Sequence, residues 1–264
     1  MTLRARGITV RLGRKAVLHG VDFTARPGAL SAIVGPNGSG KTTLLRALVG
    51  DVAYEGAVSL DGRAIAGLEP WELAARRAVL AQATPIAFPF TVREVVGLGL
   101  AAGPHAAEPG IAAAALNAVG LAGYGGRFFQ ELSGGEQARA HLARVLAQVW
   151  APVLQDRPRW LLLDEPVASL DIGHQLHIMR LARDYADRGG GVVAVMHDLN
   201  LTAMFADRVT LLHEGTVLDT GLPDEVLADH HLSRAYACPI RVNTAPPRGT
   251  FILPQAADPA GGMG

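Results

Sequence analysis

Cysteine is nearly absent, with Cys238 the only one in 264 residues. A single thiol excludes an intrachain disulfide and fits a reducing compartment. Lysine is almost as scarce: Lys15 and Lys41 stand alone. Aromatic residues make up 5% of the chain. Neither sign of charge prevails, with 24 basic residues against 24 acidic. That balance gives no global field that would favour nucleic acid or an anionic membrane. Long apolar runs are missing too. The longest uncharged stretch, residues 109–126, is mostly alanine and glycine with Asn117 and Tyr124 inside it. Alanine is only weakly apolar, and the glycines at 120, 123, 125 and 126 stop a helix early. A soluble helix over 111–119 is therefore expected, not a membrane span. The start, Met1-Thr2-Leu3-Arg4-Ala5-Arg6, lacks the apolar core of a signal peptide. A cytoplasmic location is expected, with any membrane association borrowed from a partner. The 49% hydrophobic content suffices for one substantial core and a subdomain.

What is present is concentrated in short motifs. Gly35-Pro36-Asn37-Gly38-Ser39-Gly40-Lys41-Thr42 has the spacing of a phosphate-binding loop. Its glycines let successive backbone N–H groups turn inward on an anion. Lys41 reaches the β- and γ-phosphates, and the Thr42 hydroxyl is suited to Mg²⁺. Leu30-Ser31-Ala32-Ile33-Val34 reads as a buried strand before the loop, and Thr43 opens an apolar helix after it. A strand, a glycine loop and a helix N-terminus together make an anion site. The plain alternative is a glycine-rich turn that binds nothing; the full spacing and both flanks argue against it.

A second motif, Leu132-Ser133-Gly134-Gly135-Glu136-Gln137, opens an Ala- and Arg-rich helix. Ser133 and Glu136 are spaced as a capping box, while Gly134 and Gly135 bare another helix N-terminus to an anion. A third, Trp160-Leu161-Leu162-Leu163-Asp164-Glu165-Pro166, reads as a short buried parallel strand. Two carboxylates emerge at its C-terminal end, where α/β sheets place ligand sites. Asp164 would hold Mg²⁺ through water, and Glu165 would act as general base on the attacking water.

With these motifs in this order the chain resembles the ATP-binding cassette ATPases, whose signature is Leu-Ser-Gly-Gly-Gln/Glu. The resemblance implies a homodimer. Ser133, Gly134, Gly135 and Glu136 of one subunit would close on ATP held by the other's loop, Gly35 to Thr43. It assigns Asp164 and Glu165 the roles just given. It makes Gln82, after the apolar run Ala78-Val79-Leu80-Ala81, a contact to Mg²⁺ and the lytic water. It makes His197, ending Val192-Val193-Ala194-Val195-Met196, the γ-phosphate histidine, and it places Asp171 at the dimer interface. One departure concerns the base: where the family stacks adenine on an aromatic, Leu12 stands here, and the guanidinium of Arg11 or Arg14 is left to serve instead.

The expected fold is α/β: a nucleotide-binding core with a parallel sheet, an N-terminal antiparallel β subdomain and an inserted helical subdomain. Residues 1–82 and 159–242 form the core and β subdomain, 83–158 the helical part and its connection, and 243–264 a tail that is irregular and in part disordered. Residues 2–24 alternate in period two with turns at 13–15 and at Gly20, as edge strands do. Residues 56–61 read as a strand before the tight turn Asp61-Gly62, and 209–212 with 216–219 as a hairpin about Glu214-Gly215. Helices are expected over 91–99, 111–119 and 134–149.

Residues 84–92, Thr-Pro-Ile-Ala-Phe-Pro-Phe-Thr-Val, form a stiff apolar stretch suited to a docking groove, or else a loop packed on its own core. The stretch resembles importers of iron chelates, haem and cobalamin. Residues 149–159 and 236–247 resemble the haem branch. The resemblance thus implies an ATP-hydrolysing subunit on the cytoplasmic face of the inner membrane, working with integral-membrane permease subunits and indirectly with a periplasmic substrate-binding protein. Siderophore or cobalamin cargo stays open. This subunit is not expected to bind cargo or nucleic acid. His174 and His177 are expected on the polar face of a helix near the dimer interface, and His230-His231 in solvent. A non-transport cassette ATPase of DNA repair or translation would carry a coiled-coil insert, a second cassette or a basic arm. A guanine switch would carry Asn-Lys-x-Asp. None of these is in the sequence.

Overall fold

The computed structural model describes residues 1–82, 86 and 88–256. The chain opens with β1 (Leu3–Leu12) and β2 (Lys15–Ala25), joined antiparallel. Alternation buries Leu3 and Ala5, then slips a residue and buries Ile8 and Val10. Gly20 is not the turn expected there. It lies inside β2, where Ile8 faces Val21 but Val10 faces Leu18, so the extra β2 residue is absorbed as a bulge. After β3 (Leu30–Val34) and α1 (Lys41–Val49) the chain returns as β4 (Glu55–Leu60) and β5 (Arg63–Ala64). The antiparallel sheet has the order β2-β1-β4-β5, so β1 is an inner strand and not an edge. Asp61 and Gly62 both take positive φ in the turn between β4 and β5, as two-residue hairpins require.

A short α2 (Pro70–Ala74) leads to β6 (Arg77–Leu80). Three helices follow: α3 (Val92–Ala102), α4 (Ile111–Ala118) and α5 (Gly134–Gln148). Gly99 and Gly103 let α3 lie directly on α5, since a Cβ on Gly99 would come within 1.9 Å of the Arg144 carbonyl and one on Gly103 within 2.1 Å of that of Gln148. Residues 149–159 then form a small hairpin, β7 (Val153–Leu154) and β8 (Arg157–Pro158), turning at Gln155 and Asp156.

The remaining chain alternates β9 (Trp160–Asp164), α6 (Ile172–Asp187), β10 (Gly191–Val195) and α7 (Leu199–Phe205), then β11 (Arg208–His213) and β12 (Thr216–Gly221). The central sheet runs β12-β11-β3-β10-β9-β6 and is parallel except for the β11–β12 hairpin, which turns at Glu214-Gly215 as expected. Every residue of β3, β9 and β10 is buried, because both faces of the sheet are covered. On one face Ile33, Leu162 and Val193 pack with α1 and the antiparallel sheet. On the other, Leu30, Leu161 and Val192 pack with α3, α5 and α6.

Helices α8 (Pro223–Val226) and α9 (Asp229–Tyr236) close the core, and residues 243–253 run without regular structure to a single turn at Pro254–Ala256. Gln255 Nε2 donates to Asn200 Oδ1 at 3.2 Å and ties that turn to α7. Residues 257–264, the end of the tail expected to be irregular and in part disordered from residue 243, lie outside the described residues. Among the described residues no helix is long and apolar enough to cross a membrane.

Candidate functional site

The site gathers at the C-terminal ends of β3, β9 and β10, where the parallel strands hand over to loops. The loop from Gly35 to Gly40 wraps between the two sheets. At two points only glycine fits. A Cβ on Gly35, at φ +146°, would lie 2.2 Å from the Leu212 carbonyl, and one on Gly40, at φ +102°, would lie 2.6 Å from Leu18 Cδ2. The loop is thus pressed between β11 and β2.

Lys41 begins α1 and is buried. Its Nζ donates to the carbonyls of Gly35 at 2.9 Å and Pro36 at 3.1 Å, so the ammonium folds back over its own loop. Burial lowers its pKa, against the opposing pull of Glu165 and Asp164. Thr42 Oγ1 donates to Asp164 Oδ1 at 3.1 Å, joining the loop to the end of β9. Burial raises the Asp164 pKa, opposed by that hydrogen bond and assisted by the neighbouring Glu165 carboxylate.

The next residue, Glu165, takes a positive φ of 53° at the strand end, an uncommon conformation for a residue other than glycine. The kink presents its carboxylate to two partners. His197 Nε2, from the end of β10, lies 2.6 Å from Oε1, and Gln82 Nε2, just past β6, donates to Oε2 at 3.1 Å. Loop and catalytic candidates line one cavity of about 500 Å³, whose walls include Asn37, Lys41, Thr42, Gln82, Glu165 and His197. Thr43 and the remaining loop glycines Gly38 and Gly40 complete that end, with Pro36 and Ser39 in the loop behind. A second cavity of about 200 Å³ lies behind Gln82 and Glu165, against Asp164, Ser169 and His141 of α5.

Asp164 carries a stability consequence. A carboxyl whose pKa is raised on folding binds its proton more tightly in the native state. Its contribution is favourable at low pH and is lost as pH rises through the folded pKa. Asp164→Asn keeps an acceptor for Thr42 and removes the buried charge. The variant is expected to melt above the parent at pH 7 in the absence of divalent cations, with the gap closing toward pH 4. Equal melting temperatures across that range would show that the charge carries no cost.

Ser133, Gly134, Gly135 and Glu136 are not walls of the 500 Å³ cavity. Ser133 caps α5 as expected: its Oγ accepts the Glu136 N–H at 3.4 Å, and Glu136 Oε2 accepts the Ser133 N–H at 2.7 Å. Those contacts hold the Glu136 carboxyl below its ordinary pKa. Asp171 N-caps α6 through the His174 N–H at 2.9 Å and is exposed. His174 Nδ1 lies 2.8 Å from Asp171 Oδ2, while His177 Nε2 lies 2.7 Å from the Ala118 carbonyl; the two rings are held apart by different partners. His230 is exposed, but His231 is half-buried beside Asp219 at 3.2 Å, so the solvated pair expected there is only half solvated.

The stretch 84–92 splits. Thr84, Pro85 and Ala87 lie outside the described residues. Phe88 is 70% exposed, whereas Phe90 packs against the core, so only one of the two expected aromatic anchors is free. The Phe90 carbonyl accepts from the Phe129 N–H at 2.9 Å and the Phe88 carbonyl from the Gln130 side-chain amide, which pins the segment to the loop before α5.

Several lining residues were not singled out by the sequence, Val17 and His141 among them. Val17 of β2 forms a wall of the larger cavity, and His141 a wall of the smaller. Val17 gets there through the packing of the antiparallel sheet on the loop, for which the local sequence has no signal. His141 had one: it lies two turns along the helix that Ser133 caps. Arg11, Leu12 and Arg14 are exposed and are not walls of the cavity.

Residues 18–168 match a family described as ABC transporter. The chain is 59% identical to the hemin import ATP-binding protein HmuV of Jannaschia sp. (strain CCS1), covering 98% of this chain and 97% of that one. It is 60% identical to the protein of the same name from Roseobacter denitrificans, covering 98% and 99%. Its fold superposes on the solved structure of a bacterial Atm1-family ABC exporter with ATP bound, at a TM-score of 0.75 and 26% identity, over 89% of this chain and 41% of that one. It also superposes on the ATP binding subunit of an ABC transporter, at 0.74 and 20% identity, over 90% and 95%.

Proposed function

The chain belongs to the ABC transporter family, and from that premise we propose that its ATP hydrolysis drives haem uptake through a membrane permease. The observation that carries the cargo is the near-complete alignment, at about 60% identity, with proteins named for hemin import. The subunit would sit peripherally on the cytoplasmic face of the cell membrane as a homodimer. A periplasmic binding protein would deliver cargo to the permease, and this chain would not touch it.

Each site residue then has a task. Loop N–H groups from Gly35 to Thr43 cradle the phosphates, and Lys41 turns from its loop carbonyls onto the β- and γ-oxygens. Asp164 and Thr42 fit Mg²⁺: two hard oxygens 3.1 Å apart, one a buried carboxylate whose charged form burial disfavours. Gln82 would complete that set. The bound ion supplies charge neutralisation on the phosphates. Glu165 takes a proton from the water that attacks the γ-phosphorus, and ADP departs. His197 holds Glu165 in place from Nε2 and reaches the γ-phosphate. In the dimer, the N-terminus of α5 at Ser133 to Glu136 faces the partner's ATP, and Asp171 lies at the interface.

Reconstitution with the permease in liposomes tests the cargo. ATP-dependent accumulation of haem, with neither a ferric siderophore nor cobalamin accumulated, is the expected result; uptake of either of those instead would reassign the cargo. The same system tests Phe88, a hot-spot candidate by its exposure and ring. Phe88→Asp is expected to weaken co-purification with the permease and uncouple hydrolysis from uptake, while nucleotide binding and the melting temperature hold. A folded variant that still co-purifies and transports would remove Phe88 from the contact.

A further inference from the structure

Gln148, the last residue of α5, reaches out of its helix. Its Nε2 donates to the Ala74 carbonyl at 2.9 Å, where α2 ends, and to the Arg77 carbonyl at 3.0 Å, where β6 begins. By contrast, Gln137 of the same helix donates to Phe129 and Leu132, and Arg139 to Val119 and Gly120, all in the segment leading up to α5. Arg77 carries the connection further. Its guanidinium donates to the Leu48 and Val49 carbonyls at the end of α1, and its ladder partner is Trp160 at the start of β9. Thus α1, β6 and β9 are joined to α5 at Arg77. The site residues stand at the opposite ends: Lys41 opens α1, Gln82 follows β6, Asp164 ends β9 and Ser133 caps the start of α5. At 1.5 Å per residue α5 is about 22 Å long, so a tilt of about 5° at Gln148 moves Ser133 by about 2 Å. A misplacement of about 1 Å is already costly where reacting groups must align.

We propose that Gln148 is a positioning residue of the shared ATP site: by bonding the Ala74 and Arg77 carbonyls it sets the tilt of α5, and so the place where Ser133 meets the partner's nucleotide. This rests on the paired-site reading above. Gln148 is not a wall of the 500 Å³ cavity, so its effect falls on closure of the dimer and not on the first binding of ATP. With the amide bonded, α5 is ordered before the subunits meet; without it, the cost of ordering moves to the closure step.

The test is Gln148→Met, which keeps an unbranched side chain of similar length and removes both donors. It is made in the full-length Glu165→Gln chain, so that ATP stays intact. Two constants are read well below the melting temperature: the ATP affinity of the monomer in dilute protein, and the ATP-induced dimerisation constant. Dimerisation is expected to weaken by about 10-fold, the scale of the lost hydrogen bonds, with the monomer's ATP affinity unchanged. Gln148→Lys returns a donor to the same two carbonyls and is expected to restore dimerisation. Should Gln148→Met not fold, Gln148→Asn, one methylene too short to reach both carbonyls, takes its place with the same expectation. A residue that only supports the fold would lower the melting temperature and leave dimerisation as it is; that result overturns the proposal. So does an equal weakening of ATP affinity and dimerisation, or a Gln148→Lys chain as defective as Gln148→Met. A Glu165→Gln chain that does not dimerise in ATP at all would instead sink the paired-site reading.

Discussion

Glu165→Gln is expected to bind ATP as the parent does and to hydrolyse it roughly 10²–10⁴-fold more slowly, the loss typical of a removed general base. That factor corresponds to about 3–5.5 kcal/mol of transition-state stabilisation. The reasoning starts from the backbone. Glu165 is held at φ 53° where β9 ends, and its two oxygens are met from two other strand ends, by His197 at 2.6 Å and Gln82 at 3.1 Å. Glutamine has the same shape and keeps an acceptor, so neither the loop nor the phosphate cradle is disturbed. It cannot take a proton at neutral pH. With ATP intact between the subunits, the variant should accumulate as a closed dimer, visible by size exclusion in ATP and absent in ADP. Hydrolysis near the parent rate would mean that the water is deprotonated elsewhere.

The phosphate loop, the signature and the acidic strand end were legible because their chemistry is local. Glycine spacing, a capping box and a strand bounded by Pro158 and Pro166 are properties of neighbours in sequence. The Glu214-Gly215 hairpin was legible for the same reason. What failed depends on distant pairing. β1 became an inner strand because β4, some fifty residues on, adds to its far side. Gly20 carries the same signal for a bulge as for a turn, and only the β1 register separates the two. The β7–β8 hairpin turns on Gln155 and Asp156, both at positive φ, with no glycine to announce it. Phe88 and Phe90 are alike in the sequence, yet Phe90 packs against the core and Phe88 is exposed, a difference set by distant packing. Val17 lines the cavity only because the antiparallel sheet lies across the loop.

Ser133→Arg should leave the monomer folded and its own loop able to bind ATP, yet abolish hydrolysis. Ser133 is exposed and lies outside the cavity that holds Lys41, so an arginine there has room within its own subunit. Its effect falls on the partner's nucleotide, where a bulky side chain replaces a capped helix N-terminus. Loss of the cap costs about 1 kcal/mol of stability, which a thermal melt would register as a small drop and not as unfolding. Lys41→Ala fails differently: truncating a buried cation that serves the phosphates is expected to weaken ATP binding by about 2–5 kcal/mol. Mixing the two variants separates a shared site from a private one. In the mixed dimer one interface carries both lesions, and the other joins an intact loop to an intact signature. ATP-induced dimerisation should therefore return in the mixture while each variant alone stays monomeric. If the mixture behaves as the sum of its parts, Ser133 does not serve a neighbouring subunit and the paired-site arrangement is wrong.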